Sequence, residues 1–169
     1  FVEYAVWDYA QWTVGYGTRC PAGMEEYYQK HPISREEAER LLREELDSTE
    51  AEVNEYNQKY GLNLKQHEFD ALVSFSYNCG GNWMKDAGGI LNETIRSGDK
   101  SNALIYSMCL WSRAGSDYIL IARRKCEANL YINGVYKAYN LAGAIPDNLK
   151  HVFLDGNGGT VRYVVHGYN

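Results

Sequence analysis

Ser34-Arg35-Glu36-Glu37-Ala38-Glu39-Arg40-Leu41-Leu42 opens the stretch that decides the fold. Ser34 and Glu37 have the spacing of a capping box, in which each side chain satisfies the other residue's free backbone amide. Apolar residues then recur at Ala38, Leu41, Leu42, Leu46, Val53, Tyr56 and Tyr60. That is a helical period held for about seven turns. Gly61 is a natural stop. Such a helix is long for a chain of 169 residues.

Upstream of it, Tyr4, Val6 and Trp7, then Trp12-Thr13-Val14-Gly15-Tyr16-Gly17, read as extended. Their alternation with glycine suggests hairpin strands with tight backbone approaches. Residues 21–33, rich in Pro, Gly and polar groups, are expected to form a loop. Downstream, Phe69, Leu72, Val73, Ser76 and Tyr77 mark one face of a second helix, ended by the breaker run Cys79-Gly80-Gly81-Asn82. Shorter helices are expected over 88–97 and 100–112, parted by Ser97-Gly98-Asp99. A last helix is expected from near Ser116 through Arg123 and Arg124 to Tyr131, closed by Asn133-Gly134. The fold class is therefore α+β and predominantly α-helical, with a small β-hairpin lobe at the N-terminal end.

Beyond Gly134 the character changes. Residues 135–150 show no helical period, and 151–165 place Asp155-Gly156-Asn157-Gly158-Gly159 between two β-prone runs, the pattern of a hairpin. The expected organisation is one domain over 1–134, then a linker and hairpin over 135–169. That hairpin is either a tail packed on the domain or the start of a β-rich module.

At 45% hydrophobic and 23% charged, the composition is that of a soluble globular protein. No run approaches the roughly 20 apolar residues a membrane-spanning helix needs. The opening Phe1-Val2-Glu3-Tyr4, with neither initiator Met nor signal peptide, reads as an excised or processed piece. A net charge of −5 argues against nucleic acid as a partner, since phosphate binding needs clustered cations. The triplet Arg123-Arg124-Lys125 reads as a solvated helix face. Cys20, Cys79, Cys109 and Cys126 allow two disulfides or buried thiols, with Cys109 and Cys126 on neighbouring helices as the candidate pair. No Cys-x-x-Cys or His spacing suggests a metal, and no cofactor is expected. Fifteen tyrosines and four tryptophans suit sugar rings but equally fill cores. The sequon Asn92-Glu93-Thr94 matters only in a host that glycosylates.

Four blocks, in order, resemble the phage-type lysozymes of glycoside hydrolase family 24. Trp7-Asp8-Tyr9-Ala10-Gln11-Trp12-Thr13-Val14-Gly15-Tyr16-Gly17-Thr18 is similar to that family's catalytic hairpin. Ile33 to Leu42 resembles the start of its long connecting helix, and Gln66 to Gly80 its central core helix. Trp111 and then Arg123 to Tyr131 resemble its last segment. Single blocks of this kind are weak, but four in the right order and spacing are specific.

The resemblance implies a lysozyme-like fold with a small β lobe, a long connecting helix and a helical C-terminal lobe. It implies two catalytic groups in this chain: Asp8 as the base and Thr13 as its partner in holding the attacking water. The Asp-to-Thr interval is five residues, one shorter than the commonest family spacing. Tyr16, Gly17, Thr18, Tyr77, Asn78 and Arg124 are implied as substrate-binding. Arg123 and Arg124 resemble residues lying behind the acid; the plainer reading is a surface ion pair with Glu127. The family's acid, a Glu followed by Gly, is expected two positions before Phe1. Glu3 is the nearest carboxylate present and reads as a solvent-facing charge. The Gly that usually precedes the arginine pair is Ile119 here, so the last helix is expected to start earlier.

The implied activity is hydrolysis of the β-1,4 bond between N-acetylmuramic acid and N-acetylglucosamine, by inversion, in a protein whose partner is the glycan strand of peptidoglycan. It would act as a monomer at the cell wall, secreted or released from a host cytoplasm. The piece starting at Phe1 would itself be impaired for want of the acid. The alternative is a catalytically inactive wall-binding module that keeps the sugar cleft.

Overall fold

The computed structural model describes residues 1–8, 10–113 and 120–136, and the backbone alone of 152–154 and 161–163. The chain forms two compact units, Phe1–Ala51 and Glu52–Asn169.

In the first unit, strands β1 (Val2–Asp8), β2 (Gln11–Gly15) and β3 (Thr18–Arg19) form an antiparallel sheet in the order β1-β2-β3. Val6 pairs with Thr13, Trp7 with Trp12, and Asp8 with Gln11; an irregularity lies between Val2 and Val6. The core gathers Ala5, Val14, Cys20, Tyr28, Ile33, Ala38 and Leu41, with Trp12 and Met24 packed against it. Gly15 has φ +65°, and a Cβ there would lie 2.7 Å from Ala38 Cβ. The glycine thus supplies both the turn conformation and the close approach of β2 to the long helix.

That helix, α2 (Arg35–Tyr60), runs as its period predicts. Its capping box is only half formed. Ser34 Oγ accepts from the Glu37 amide at 3.1 Å. The Glu37 carboxylate instead takes a two-pronged bond from Arg40. A guanidinium one turn away offers a better partner than a lone amide.

The expected loop over 21–33 contains a helix, α1 (Glu25–Lys30). This corrects the sequence reading. Glu25 and Glu26 sit at its positive end and Lys30 at its negative end, and Lys30 pairs with Glu26 at 2.6 Å. Tyr28 is its one buried residue, too few for a period to show.

The second unit holds the end of α2, α3 (Gln66–Cys79), α4 (Asn82–Lys85), α5 (Ile90–Ser97), α6 (Asn102–Cys109) and α7 (Ile121–Asn133). With a short sheet and seven helices among the described residues, the fold is α+β and lysozyme-like. The run at 79–82 ends α3 as expected, with Gly80 at φ +78°, but the chain at once begins α4. Trp83 is buried in α4, edge-on to Phe75 and Tyr56, and its Nε1 donates to Ser76 Oγ at 3.0 Å. Asn92 is 1% exposed. Its amide donates to the carbonyls of Trp83 and Met84 while its Oδ1 accepts from Tyr56 and Arg96. The sequon nitrogen is therefore spent on the core, and no glycan fits there in the folded chain.

Gly134 closes α7 in the left-handed conformation, as expected. Helix α7 begins at Ile121 with Leu120 as its N-cap, so it starts later than expected and does not reach back to Ser116. Ser116 itself and residues 137–150 lie outside the described residues. Strands β4 (Val152–Leu154) and β5 (Val161–Tyr163) pair antiparallel, the hairpin expected of that segment. Cys20 and Cys109 are buried thiols, so the candidate Cys109–Cys126 disulfide does not form. Cys109 instead packs as a small apolar side chain, and burial pushes its thiol pKa up. No described helix is long and apolar enough to cross a membrane.

Glu68 caps the start of α3. It is 4% exposed, accepting from the Lys65 amide at 2.8 Å and from Lys100 Nζ. Burial pushes its pKa up, but the Lys100 and Lys65 hydrogen bonds, with the nearby charges of Lys100 and His67, bring the net shift below the ordinary value.

Two stability predictions follow from these contacts. Gly15→Ala combines left-handed strain with a clash, so chemical denaturation should show a loss of about 2 kcal/mol or more. Gly17→Ala, at φ +84° with open space around it, should lose less. For Glu68, a folded pKa below the unfolded one means stability that is full above the unfolded value and lost as pH falls through the folded value. Between neutral pH and about pH 3, Glu68→Gln should show a shallower fall in urea midpoint than the parent chain. Equal slopes would show that Glu68 contributes nothing to acid sensitivity.

Candidate active site

Asp8 ends β1 and is exposed; Thr13 lies in β2 and is 3% exposed. Residues opposite one another in an antiparallel pair share a face, as do residues two apart along a strand. Asp8 opposes Gln11 and Thr13 opposes Val6, so Asp8 and Thr13 share one face as diagonal neighbours. That relation puts residues about 7–8 Å apart at the backbone, a gap a water can bridge.

The other face of the hairpin carries Trp7 against Trp12, edge-on at 5.7 Å, and Val14 in the core. Thr18 opposes Val14 and is buried, so the register does not bring it to the Asp8 face. Tyr16 and Gly17 form the turn between β2 and β3. The Tyr16 ring is half-exposed and tilted against Phe1 at 5.2 Å, with the Arg35 guanidinium 4.7 Å over Phe1. Glu3 is exposed, as read from the sequence.

In the second unit, the remaining expected residues meet at the end of α3. Tyr77 is half-buried and Asn78 exposed. Arg124, from α7, is 0% exposed. Its Nη2 donates to Asn78 Oδ1 at 2.6 Å, its Nη1 to Cys79 Sγ, and its Nε pairs with Glu127 Oε2 at 3.0 Å. Its guanidinium also lies 4.9 Å over the Phe75 ring. Glu127 is 4% exposed; its Oε1 accepts from Ser74 Oγ at 2.8 Å and from Arg123 Nε at 3.0 Å. Burial pushes the Cys79 thiol up to about 11, outweighing the Arg124 charge beside it, so it stays protonated at neutral pH.

Two sequence readings change here. The triplet 123–125 is not a solvated face: Arg124 and Lys125 are fully buried and Arg123 is half-buried. The pair with Glu127 is accordingly a buried one, not a surface one. Arg124 reaches no solvent, and its donors turn inward, so its place is behind Asn78. With Oδ1 held by Arg124, the Asn78 amide is oriented so that its NH₂ is the group left facing outward. Sequence reading missed Ser74. Its signal was its place one turn before Asn78 on the same helix. Among the described residues no His, Cys, Asp and Glu cluster could hold a metal ion.

A hairpin lobe bearing an Asp–Thr face, one long helix and a helical unit tied by a buried arginine define a lysozyme-like domain. The chain belongs to the phage lysozyme family, which matches it over residues 1–127. It is also 30% identical over 156 residues to an endolysin of Bacillus phage B103, across 86% of this chain and 54% of that relative. The chain spans about half the length of that curated relative.

Breaking a buried ion pair by removing one partner typically costs about 3–5 kcal/mol. Glu127→Gln should lose stability on that scale in urea denaturation, because Arg124 stays buried without its counter-charge. Arg40→Ala, which removes only exposed pairs with Glu37 and Glu44, should leave the midpoint nearly unchanged. A Glu127→Gln midpoint equal to the parent's would show that the network carries no stability.

Proposed function

We propose that this chain is the main part of a peptidoglycan hydrolase that cuts the β-1,4 bond between N-acetylmuramic acid and N-acetylglucosamine with inversion. The observation that carries the reading is the shared sheet face of Asp8 and Thr13. An exposed carboxylate beside a fixed hydroxyl can hold a water between them and take its proton as it attacks the anomeric carbon. Inversion needs a second carboxyl about 6.5–9.5 Å from the first, on the far side of the sugar, to protonate the leaving oxygen. Asn78 contributes outward N–H donors to a sugar oxygen, Tyr77 and Tyr16 flank saccharide rings, and Gly17 leaves room for them. Thr18 and Arg124 act from behind, by fixing the turn and the Asn78 amide. The enzyme works as a monomer at the cell wall, either released from a host cytoplasm or secreted. Residues 1–134 form the domain, and 135–169 a linker and hairpin appended to it.

The test uses the full-length polypeptide on purified cell walls, followed by turbidity. Asp8→Asn should lower the clearing rate about 10²–10⁴-fold. Thr13→Ala should lower it less, and Thr13→Ser should restore most of it. The first product anomer seen by NMR should be α. Clearing that survives Asp8→Asn would overturn the assignment of the base, and a β anomer would overturn inversion. Wall binding with no clearing at any pH would favour a non-catalytic wall-binding module.

A further inference from the structure

A cavity of about 350 Å³ lies wholly within the second unit. Tyr60, Lys65, Glu68, Arg96, Lys100 and Tyr131 supply the chemistry of its lining. It is large enough for a small ligand, since such pockets begin near about 300 Å³.

The cavity runs against the charge of the chain. The protein as a whole carries −5, yet this lining has three cations and one carboxylate. The carboxylate is already engaged: Glu68 accepts from the Lys65 amide and from Lys100. The C-terminal ends of α2 and α5, at Gly61 and Gly98, each add about half a negative charge, and the N-terminal end of α3 about half a positive one. The balance still leaves the lining about one and a half charges positive.

Tyr131 is 4% exposed and lines the cavity, with Lys100 Nζ 6.0 Å from its ring centroid. Its hydroxyl can donate to a ligand oxygen placed there. Lys65 is exposed at the rim, and Lys100 keeps two N–H donors beyond its bond to Glu68. The site therefore offers donors and positive charge together, with room beside them.

We propose that this cavity binds a phosphate group, free or carried on a sugar, at a site separate from the Asp8–Thr13 hairpin. The Tyr131 hydroxyl and the ammonium groups of Lys65 and Lys100 bind its oxygens. The Tyr60 ring, flanked by Arg96 at 5.1 Å, forms a wall for what the phosphate carries. The proposal does not rest on the hydrolase reading.

Isothermal titration of the 169-residue chain with inorganic phosphate, and separately with N-acetylglucosamine 6-phosphate, tests it. One saturable site is expected. Tyr131→Phe and Lys65→Gln should each weaken binding about tenfold without lowering the melting temperature. Tighter binding of the sugar phosphate would identify a phosphorylated sugar as the occupant, and equal binding a free phosphate. Absence of saturable binding of either probe would overturn the proposal. So would affinities unchanged in Lys65→Gln, an exposed substitution that leaves the core intact, or equal displacement by chloride at matched ionic strength.

Discussion

A guanidinium with no exposed surface is the constraint around which the helical unit is arranged. Taking Arg124 out of water costs several kcal/mol, recovered only where its donors and charge find partners. Those partners come from two helices: Glu127 from its own, and Asn78, Cys79 and the Phe75 ring from α3. Helix α7 can therefore meet α3 in one register only, the one that brings Arg124 to the last turn of α3. Glu127 is in turn held by Ser74 and Arg123, so the same carboxylate ties the two helices a second time.

The consequence for chemistry is that stability and presentation are one arrangement at this end of α3. Arg124 spends its Nη2 hydrogen on Asn78 Oδ1, so the amide cannot flip without losing a charge-assisted bond. Its other prong meets a thiol, not a thiolate, because burial of Cys79 outweighs the neighbouring charge. A thiolate there would compete with Glu127 for the guanidinium and pull it from the pair. Protonation of Cys79 keeps the pairing as it is.

Long periods were legible in the sequence and isolated contacts were not. The seven-turn period of α2 and the one-sided pattern of α3 each rest on many residues, so a single exception does not hide them. Helix α1 rests on Tyr28 alone and looked like a loop. The Arg123–Lys125 triplet looked solvated because charge predicts exposure unless a partner is known, and the partners Asn78 and Cys79 lie some 45 residues away in sequence. Glu127 was within reach of a helical reading, at three and four residues from the two arginines, but spacing cannot tell a buried pair from a surface one. Asn92 shows the same limit: the sequon spacing carries no sign that its Asn is a core amide. Asp8 and Thr13 were legible through resemblance, and their relation became physical only once the strand register was known.

The shortened interval between Asp8 and Thr13 has a simple resolution in that register. Paired residues here run Val6 with Thr13, Trp7 with Trp12 and Asp8 with Gln11, so each partner is set by the length of the turn after Asp8. Removing one residue from a turn shifts every partner on β2 by one and shortens the interval by one together. The threonine then stays two residues past the aspartate's partner, on the same face. A residue lost from within β2 instead would move Thr13 to the face of Val14, which packs in the core. The five-residue interval therefore shortens the hairpin without turning the threonine away. The place where the residue can be lost is bounded on the far side by Gly15, whose contact with Ala38 fixes where β2 meets α2.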